Sequence, residues 1–355
     1  MQTYNYLANE LPRELIEIYN DIEVDILKII VRCLKEGKRE EEVFQEIRDK
    51  VDAYNPKVEK VVSIIFADSK KKTVKDNERE FKQEPEDKKP VSNSEANSII
   101  APALIGGLSV LAILNKSIVN NAVNEYSRDY LYVNNGFGNK EKRMEQVVHN
   151  LANKGLTIFE SYGGGKSRNF SIESKLRRDV MYKVNQANAK VNKENFNKSS
   201  AKFIQVSSHP TARTWNKYMK HPYEDHSSWQ GKVYYSRDGE YVEGYQEFES
   251  TCGYGEMLGI CGINCYHQFQ MSYDGDSTAT QYSQEQVERD YALSQEQRKY
   301  EANIKRLKQQ QAVYEEAGNT QMSKALGSKI SIARGRLKDF CEKNGLKYYN
   351  WRTQL

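Results

Sequence analysis

The sequence predicts an α+β fold that is predominantly helical, with a small mixed α/β domain rich in Cys, His and Gly and a C-terminal antiparallel helical hairpin. Apolar residues recur at three- and four-residue steps near both ends of the chain, which is typical of amphipathic helices. Short β-branched and aromatic segments between Gly-rich turns in the middle predict strands. The length of 355 residues favours two compact units with connecting helices.

The composition places the chain among soluble, polar proteins and excludes an ordinary polytopic membrane protein. Hydrophobic residues make up 38% of the chain, charged residues make up 29%, and the mean hydropathy is −0.82. A net charge of +4 is too small to indicate nucleic-acid binding by itself. Residues 285–355 carry 14 Lys and Arg against 9 Asp and Glu, so this end of the chain favours acidic partners.

The N-terminal region, residues 1–69, is predicted to be helical. Pro12 suits the first turn of a helix, and the apolar stripe that follows it ends at Gly37. A second helix is expected to end before Pro56, because proline disrupts a helix interior, and a third is expected to begin near Val58.

A charged linker and an apolar segment are expected next. Residues 70–95 carry dense charges of both signs and almost no apolar side chains, so they cannot bury enough surface to fold alone. Residues 96–126 are predicted to form an apolar helical segment, whose first twenty residues, 96–115, contain no charge and approach the length that spans a bilayer. Membrane contact and burial in a large assembly are the two alternatives for this stretch.

Residues 127–275 are predicted to form the α+β core domain. It begins with a helix over Lys140–Lys154, which Gly155 ends. The glycine run at 163–165 lacks the spacing of a phosphate loop, so it is interpreted as a flexible turn. Short strands are expected at Phe203–Val206, Val233–Tyr235 and 241–245.

Residues 276–355 are predicted to form the C-terminal helical hairpin. Two apolar stripes are separated by Gly318 and Asn319, which favours two antiparallel helices joined by a short turn. Asn344 and Gly345 supply a stop for the second helix.

The sharpest chemical signal is a cluster of histidines and cysteines. All but one of the five histidines, and three of the five cysteines, fall between residues 209 and 267. Thiolate and imidazole together suit tetrahedral zinc, while small buried cysteines and hydrogen-bonding histidines around glycine turns are the alternative. The odd cysteine count indicates reduced thiols, and no secretory signal is recognisable, so a cytosolic origin is expected. The candidate ligands are Cys261, Cys265 and His267, completed by His209, His226 or Cys252.

Two enzymatic interpretations stay open beside the metal site. In the first, Cys265 is a nucleophile activated by His209 or His226, which requires the imidazole to lie within hydrogen-bond reach of the thiol. In the second, residues 247–249 form a Glu-x-Glu triplet of the kind that ADP-ribosyltransferases use, with Arg168 as its partner.

Four blocks of this region resemble, in the same order, the signature of the tailed-phage minor capsid protein 2 family. The blocks are Ser208-His209-x-x-Ala212-Arg213, His226-x-x-Trp229-Gln230-Gly231-Lys232, Gly253-Tyr254-Gly255 and Cys261-Gly262-Ile263-Asn264-Cys265-x-His267. The opening helix and the C-terminal helices resemble the same family. The positions that this resemblance marks as structural are His209, Arg213, His226, Trp229, Gly231, Gly253, Gly255, Asn264, Cys265 and His267.

The resemblance implies a structural virion component without enzymatic activity, catalytic residues or a cofactor. It implies a low-copy protein at or near the portal vertex, made in the host cytoplasm, that supports head assembly or DNA packaging and ejection. The expected partners are the portal protein, other head proteins, further copies of the chain around the portal, and packaged DNA. A virion-carried enzyme or toxin, zinc-dependent or ADP-ribosyltransferase-like, is the alternative. Tyr266 stands where the family usually has Arg, which removes a guanidinium that could bind an anion.

Overall fold

The computed structural model describes residues 12–162 and 166–355, and it is 67% helical with small antiparallel sheets. The predicted α+β class is therefore confirmed. Two compact units divide the chain, and several long helices contribute residues to both. The site unit contains Lys60–Val110 and Arg177–Ser294, and the helical unit contains Arg13–Glu59, Leu111–Leu176 and Gln295–Leu355.

The described elements follow one another as long helices with short strands between them. The helices are α1 (Arg13–Glu36), α2 (Glu40–Glu80), α3 (Asn93–Asn135), α4 (Lys140–Lys154), α5 (Ile172–Lys198), α6 (His226–Trp229), α7 (Phe248–Cys252), α8 (Gln284–Glu316) and α9 (Thr320–Lys343). The strands are β1 (Thr157–Tyr162), β2 (Lys166–Ser171), β3 (Phe203–Val206), β4 (Val233–Tyr235) and β5 (Phe269–Ser272). Short 3-10 turns occupy Phe81–Gln83, Pro222–Glu224 and Asn350–Thr353.

The helical unit contains the predicted C-terminal hairpin. Helices α8 and α9 are separated by a turn in which Gly318 adopts a positive φ of 74°, a conformation that glycine tolerates best. The rings of Tyr300 and Phe340 lie 5.1 Å apart across the hairpin. Helix α9 ends at Lys343, directly before the predicted stop. Strands β1 and β2 pair antiparallel in the same unit, and the glycine run at 163–165 lies outside the described residues.

The site unit is built around a three-stranded antiparallel sheet in the order β4-β3-β5. Ile204, in the central strand, pairs with Tyr234 on one side and with Met271 on the other. These side chains are buried with apolar residues of the surrounding helices and loops, which removes their surface from water and stabilises the unit. The buried cluster contains Phe81, Ala189, Phe196, Ile204, Val206, Trp229, Tyr234, Phe248, Cys252, Ile260, Cys261, Cys265, Phe269 and Met271.

The predicted helix break at Pro56 is wrong. Helix α2 continues through this proline, although proline removes one backbone hydrogen bond and costs about 3 kcal/mol in a helix interior. Val58, Val61 and Val62 after the proline are all buried, so the apolar stripe carries on along the helix. Packing of this stripe outweighs the local cost of the proline.

The expectation of a linker over residues 70–95 is wrong for the first half of that stretch. Residues 70–80 form the end of α2, and Val74 and Phe81 are buried. A carboxylate oxygen of Glu80 accepts a hydrogen bond from the backbone N–H of Met271 in β5, at 3.2 Å. The few apolar side chains of this stretch therefore pack within the site unit, a tertiary contact that composition alone does not reveal.

The short strands were predicted in part. Strands β3 and β4 occur as expected, whereas residues 241–245 form no strand. The backbone N–H of Tyr245 donates to the carbonyl of Val242, and Gly244 adopts a positive φ, so this segment turns instead of extending. Strand β5 was not predicted, because its four residues follow a glycine-rich loop and show no clear alternation.

Helix α3 contains the uncharged stretch 96–115. Within the described part of the chain, it is the one helix that is long and apolar enough to cross a membrane by length and composition, and 22% of its most apolar window is buried. Ile105 and Ile113 are each 66% exposed, which leaves an uncovered apolar face on this helix.

Candidate functional site

The predicted histidines and cysteines converge in the site unit. His209 follows β3, His226 begins α6, and the loop between α7 and β5 carries Cys261, Cys265 and His267. All five side chains are buried, and we call them the His/Cys cluster. The sheet brings them together, because β3 pairs antiparallel with both β4 and β5, so the loop after β3 and the segments before β4 and β5 lie at the same end of the sheet.

The imidazole of His267 lies at the centre of the cluster and is fully buried. Its Nε2 lies 3.1 Å from Oε1 of Gln230, and the same oxygen accepts the backbone N–H of His209 at 2.9 Å. An amide oxygen only accepts hydrogen bonds, so Nε2 of His267 carries the proton. Nδ1 is therefore the nitrogen with the lone pair, and it lies 3.6 Å from Sγ of Cys265.

The imidazole of His226 is held in the same tautomer by a different partner. Its Nε2 lies 2.9 Å from the carbonyl oxygen of Leu258, which can only accept. Burial lowers the pKa of His226 and of His267 well below the ordinary histidine value, and the guanidinium of Arg213 acts in the same direction. Both imidazoles are neutral at pH 7.

Arg213 ties two turns of the cluster together. Its guanidinium donates to the carbonyl oxygen of Leu258 at 3.2 Å and to that of Ile263 at 2.6 Å. Guanidinium donors bind carbonyl groups strongly where water is excluded. The role of this residue is thus to fix the loop that carries the cysteines.

Aromatic contacts surround the central imidazole. The His209 ring stacks on the His267 ring at a centroid distance of 4.2 Å. The Trp229 ring lies 4.8 Å from the ring of His267 and 4.6 Å from that of His226. The indole N–H of Trp229 donates to the carbonyl of Tyr223 at 3.0 Å, so the indole is fixed in one orientation.

The cysteines sit in a tight turn. Cys261 and Asn264 both adopt a φ of 56°, a conformation that non-glycine residues rarely take. The backbone N–H of Cys261 donates to Sγ of Cys265 at 3.2 Å, and Sγ of Cys261 lies 3.4 Å from the carbonyl of His267. All five cysteines are free thiols, and burial raises the pKa of Cys261 and Cys265.

Helix α5 supplies polar contacts that the sequence did not reveal. Asn185 donates its side-chain amide to the carbonyl of Cys265, and Gln186 donates to that of Cys261, both at 2.9 Å. Such partners satisfy the carbonyls of a buried turn, which would otherwise be costly to desolvate. The run of Asn and Gln in 185–197 was the available signal, because amides are unusual on the buried side of a helix.

Three glycines of the family motifs, Gly231, Gly253 and Gly255, differ in their surroundings. Gly253 has a φ of 64°, and a Cβ there would lie 2.7 Å from the ring of Tyr223. Gly255 has a φ of 92° and open space around it. Gly231 has a φ of 68°, and a Cβ there would lie 3.3 Å from the side chains of Gln281 and Ser208. Backbone conformation therefore requires glycine at all three positions, and close packing adds a second requirement at Gly253.

The structure changes the set of candidate metal ligands. Among the described residues, His226, Cys265 and His267 form the one group of potential ligands, with ligand atoms within 4.8 Å of one another. His209 stacks on this group, while Cys261 is directed to a backbone carbonyl. Cys252, the last residue of α7, is buried and does not belong to this group.

The Glu-x-Glu triplet takes part in ion pairs. Glu247 pairs with Arg237 at 2.9 Å, and Glu249 pairs with the ammonium group of Lys193 at 2.5 Å. Lys193 is buried on α5, so its pair with Glu249 connects α5 to α7. Arg168, the predicted partner of the triplet, lies in the helical unit, where its guanidinium is 5.2 Å from the ring of Phe170.

Comparison with known proteins identifies the family. The family model described as phage minor capsid protein 2 matches residues 5–342, which is nearly the whole chain. The chain belongs to the phage minor capsid protein 2 family. The resemblance inferred from four short blocks is thereby confirmed over the full length of the match.

Two curated relatives of this minor capsid protein are described as structural proteins. One, from Lactococcus phage mv4, is 29% identical over 94 residues, which cover 26% of this chain and 76% of the relative. The other, from Lactococcus phage LL-H, is 29% identical over 94 residues, again 26% of this chain, but spans only 25% of the relative. No solved structure matches the chain.

Proposed function

We propose that this minor capsid protein is a low-copy structural subunit of the phage head that docks at or near the portal vertex and supports head assembly or DNA packaging and ejection. The observation that carries the proposal is the burial of the family motif: His226, Trp229 and His267 are each at most 1% exposed. Side chains without solvent contact hold a fold together, whereas a catalytic centre needs a path for its substrate.

The hydrogen bonds of the motif support the same role. Arg213 bonds two carbonyls, Gln230 bonds two histidines, and the indole of Trp229 is fixed by a third carbonyl. The contacts of Arg213 and Gln230 join segments that are distant in the sequence, and the contact of Trp229 fixes the turn just before α6. The motif therefore stabilises the fold, and we assign the binding of other head proteins to exposed residues.

The exposed face of α3 is the surface that we propose for docking. Ile105 and Ile113 are eight residues apart, about 80° from each other around the helix, so they belong to one broad apolar face, and both are largely exposed. Apolar faces of this kind mark protein interaction sites, and a helix can seat such a face in a groove of a partner. The proposed partners are the portal protein and neighbouring head subunits.

A binding assay with the portal protein tests this surface. We expect the double substitution Ile105→Asp and Ile113→Asp to weaken co-purification with co-expressed portal protein at least about tenfold, because a charge cannot be buried there unpaired. Ile64→Asp, on an exposed position of α2, is the matched control and should bind normally. Unchanged binding by the double variant, with an unchanged melting temperature, would contradict the proposal.

Membrane contact is a second candidate for the same face, because α3 has the length and apolarity of a spanning helix and little of it is buried. Liposome flotation separates the two candidates. Docking on head proteins predicts that the full-length protein stays in the soluble fraction while a control spanning helix floats. If the wild type floats with the liposomes and the double variant does not, membrane contact is favoured instead.

Contact with packaged DNA is proposed for the basic C-terminal hairpin. Residues 285–355 hold 14 Lys and Arg against 9 Asp and Glu, and phosphate attraction of this kind weakens steeply with salt. We expect weak, sequence-independent binding of linear duplex DNA that disappears as the salt concentration rises. Absence of binding at low salt would remove DNA from the proposed partners.

A further inference from the structure

We propose that His226, Cys265 and His267 form a zinc-binding site that stabilises the fold of the site unit. The three potential ligand atoms lie within 4.8 Å of one another, and all three side chains are buried. One thiolate with two imidazoles is a ligand set that zinc accepts. The site does not depend on the proposed function at the portal vertex.

The separation of two ligand atoms agrees with zinc geometry. Sγ of Cys265 and Nδ1 of His267 are 3.6 Å apart. Tetrahedral zinc with ordinary Zn–S and Zn–N bond lengths places sulfur and nitrogen about 3.6 Å apart. The separation of this pair suits the ion as it stands, and a ligand nitrogen of His226 lies within 4.8 Å of both atoms.

The hydrogen bonds around the histidines are those that metal ligands need. His267 donates its Nε2–H to Gln230, and His226 donates its Nε2–H to the carbonyl of Leu258. Partners of this kind fix the tautomer of a ligating histidine and leave the other nitrogen free to bind the ion. In both residues that nitrogen is Nδ1.

The protonation of the cluster favours binding as well. Each Nε2 donates a hydrogen bond, so each Nδ1 keeps its lone pair in a neutral imidazole, which is the form that binds metal. The backbone N–H of Cys261 donates to Sγ of Cys265 and would stabilise a thiolate there. Zinc binding releases the thiol proton of Cys265 to solvent and forms the Zn–S bond, with no change in oxidation state.

Without metal, the same geometry has a simple alternative. The thiol of Cys265 would donate a weak hydrogen bond to Nδ1 of His267 across the 3.6 Å separation. The two alternatives differ in metal content, in spectroscopy and in the response to chelators, so they can be separated by experiment.

Metal analysis of the full-length protein, purified under reducing conditions without chelators, is the first test. We expect near-stoichiometric zinc in the wild type and its loss in Cys265→Ser. Cys252→Ser, which changes a buried cysteine outside the ligand group, is the matched control and should keep its zinc. Wild-type protein without near-stoichiometric zinc that also fails the cobalt test below would overturn the proposal.

Cobalt substitution keeps the test independent of variants that fold poorly. Wild-type protein incubated with Co²⁺ after mild chelation should develop the sulfur-to-cobalt charge-transfer absorption and the visible bands of a tetrahedral site, and zinc should abolish them. We also expect a chelator to lower the melting temperature, with recovery on addition of zinc. Folded wild-type protein that shows neither the absorption nor the chelator effect would overturn the proposal.

Discussion

At the scale of single residues, we expect Trp229 to contribute more to stability than any other side chain of the motif. It is the largest fully buried side chain, it contacts two histidines, and its indole N–H has a fixed partner. We expect Trp229→Ala to lower the free energy of unfolding by about 3–5 kcal/mol, because truncation leaves a cavity.

The matched control for this substitution is Trp215→Ala. Trp215 is 53% exposed, so its removal should change the free energy of unfolding by less than about 0.5 kcal/mol. Urea denaturation of both variants measures the difference. Equal effects of the two substitutions would show that the motif is not part of the stabilising core.

Gly253 tests the backbone requirement of the motif. We expect Gly253→Ala to destabilise the chain by about 2–3 kcal/mol, because its positive φ disfavours a side chain and the new Cβ would overlap the ring of Tyr223. Gly335→Ala is the control: Gly335 lies inside α9 with open space around it, and alanine there should be slightly stabilising. Thermal unfolding that ranks the two variants in the opposite order would contradict this account.

Which residues belong to the site could be predicted from sequence, but their pairing could not. The density of His and Cys between residues 209 and 267 located the cluster. The choice of His226 over His209 beside Cys265 depends on loops that meet only after β3 pairs with β5. The amides of Asn185 and Gln186 reach the cluster from a distant helix; the run of amides in 185–197 marks a buried polar face but does not tell which loop it contacts.

At the scale of elements, α2 shows packing overriding a local signal. Pro56 is exposed, so Pro56→Ala should lose little packing while restoring a helix hydrogen bond. We expect a gain of about 1–2 kcal/mol in the free energy of unfolding, after allowing for the greater freedom of the unfolded chain. Pro85→Ala, at a proline outside any helix, should give no gain, and chemical denaturation of both variants makes the comparison. A loss of stability in Pro56→Ala would show that the proline is needed where it stands.

The contact between the end of α2 and β5 predicts a pH dependence. Burial raises the pKa of Glu80 to about 7, so the folded protein binds this proton more tightly than the unfolded chain does. Its contribution to stability is complete below about pH 4.5 and is lost as the pH rises toward 7, by at most about 3 kcal/mol. Glu80→Gln keeps an oxygen that can accept the Met271 N–H. We expect this variant to flatten the dependence of stability on pH between pH 5 and 8, a window that lies above the pKa values of ordinary carboxyl groups.

The control for Glu80 is Glu78→Gln, an exposed neighbour on the same helix. Melting temperatures measured across the pH range should show the wild-type slope in this variant. The same slope in the Glu80→Gln protein would mean that Glu80 does not titrate in this window.

Helices were predicted better than the short strands, and the reason is physical. The hairpin of α8 and α9 combines two long apolar stripes with a Gly-Asn turn, so its local signals agree with its packing. Strands β4 and β5 have three and four residues, and their pairing with β3 is set by distant contacts. The end of α2 and the turn after it were misassigned because their few buried apolar residues, Val74 and Phe81, carry little weight among many charges.

At the scale of the whole molecule, the buried residues of the motif and the exposed faces of the helices have separate roles. Buried contacts of the family motif hold the site unit together, while the exposed apolar face of α3 and the basic hairpin are the docking surfaces that we propose.

The position and stoichiometry of this chain in intact purified particles tests the central claim most directly. Cryo-electron microscopy of the portal vertex, combined with quantitative mass spectrometry of the same particles, measures both. The account predicts density for the chain at or near the portal vertex and far fewer copies than the major capsid subunit. Absence of the chain from purified particles, or its distribution over the whole shell, would contradict the account.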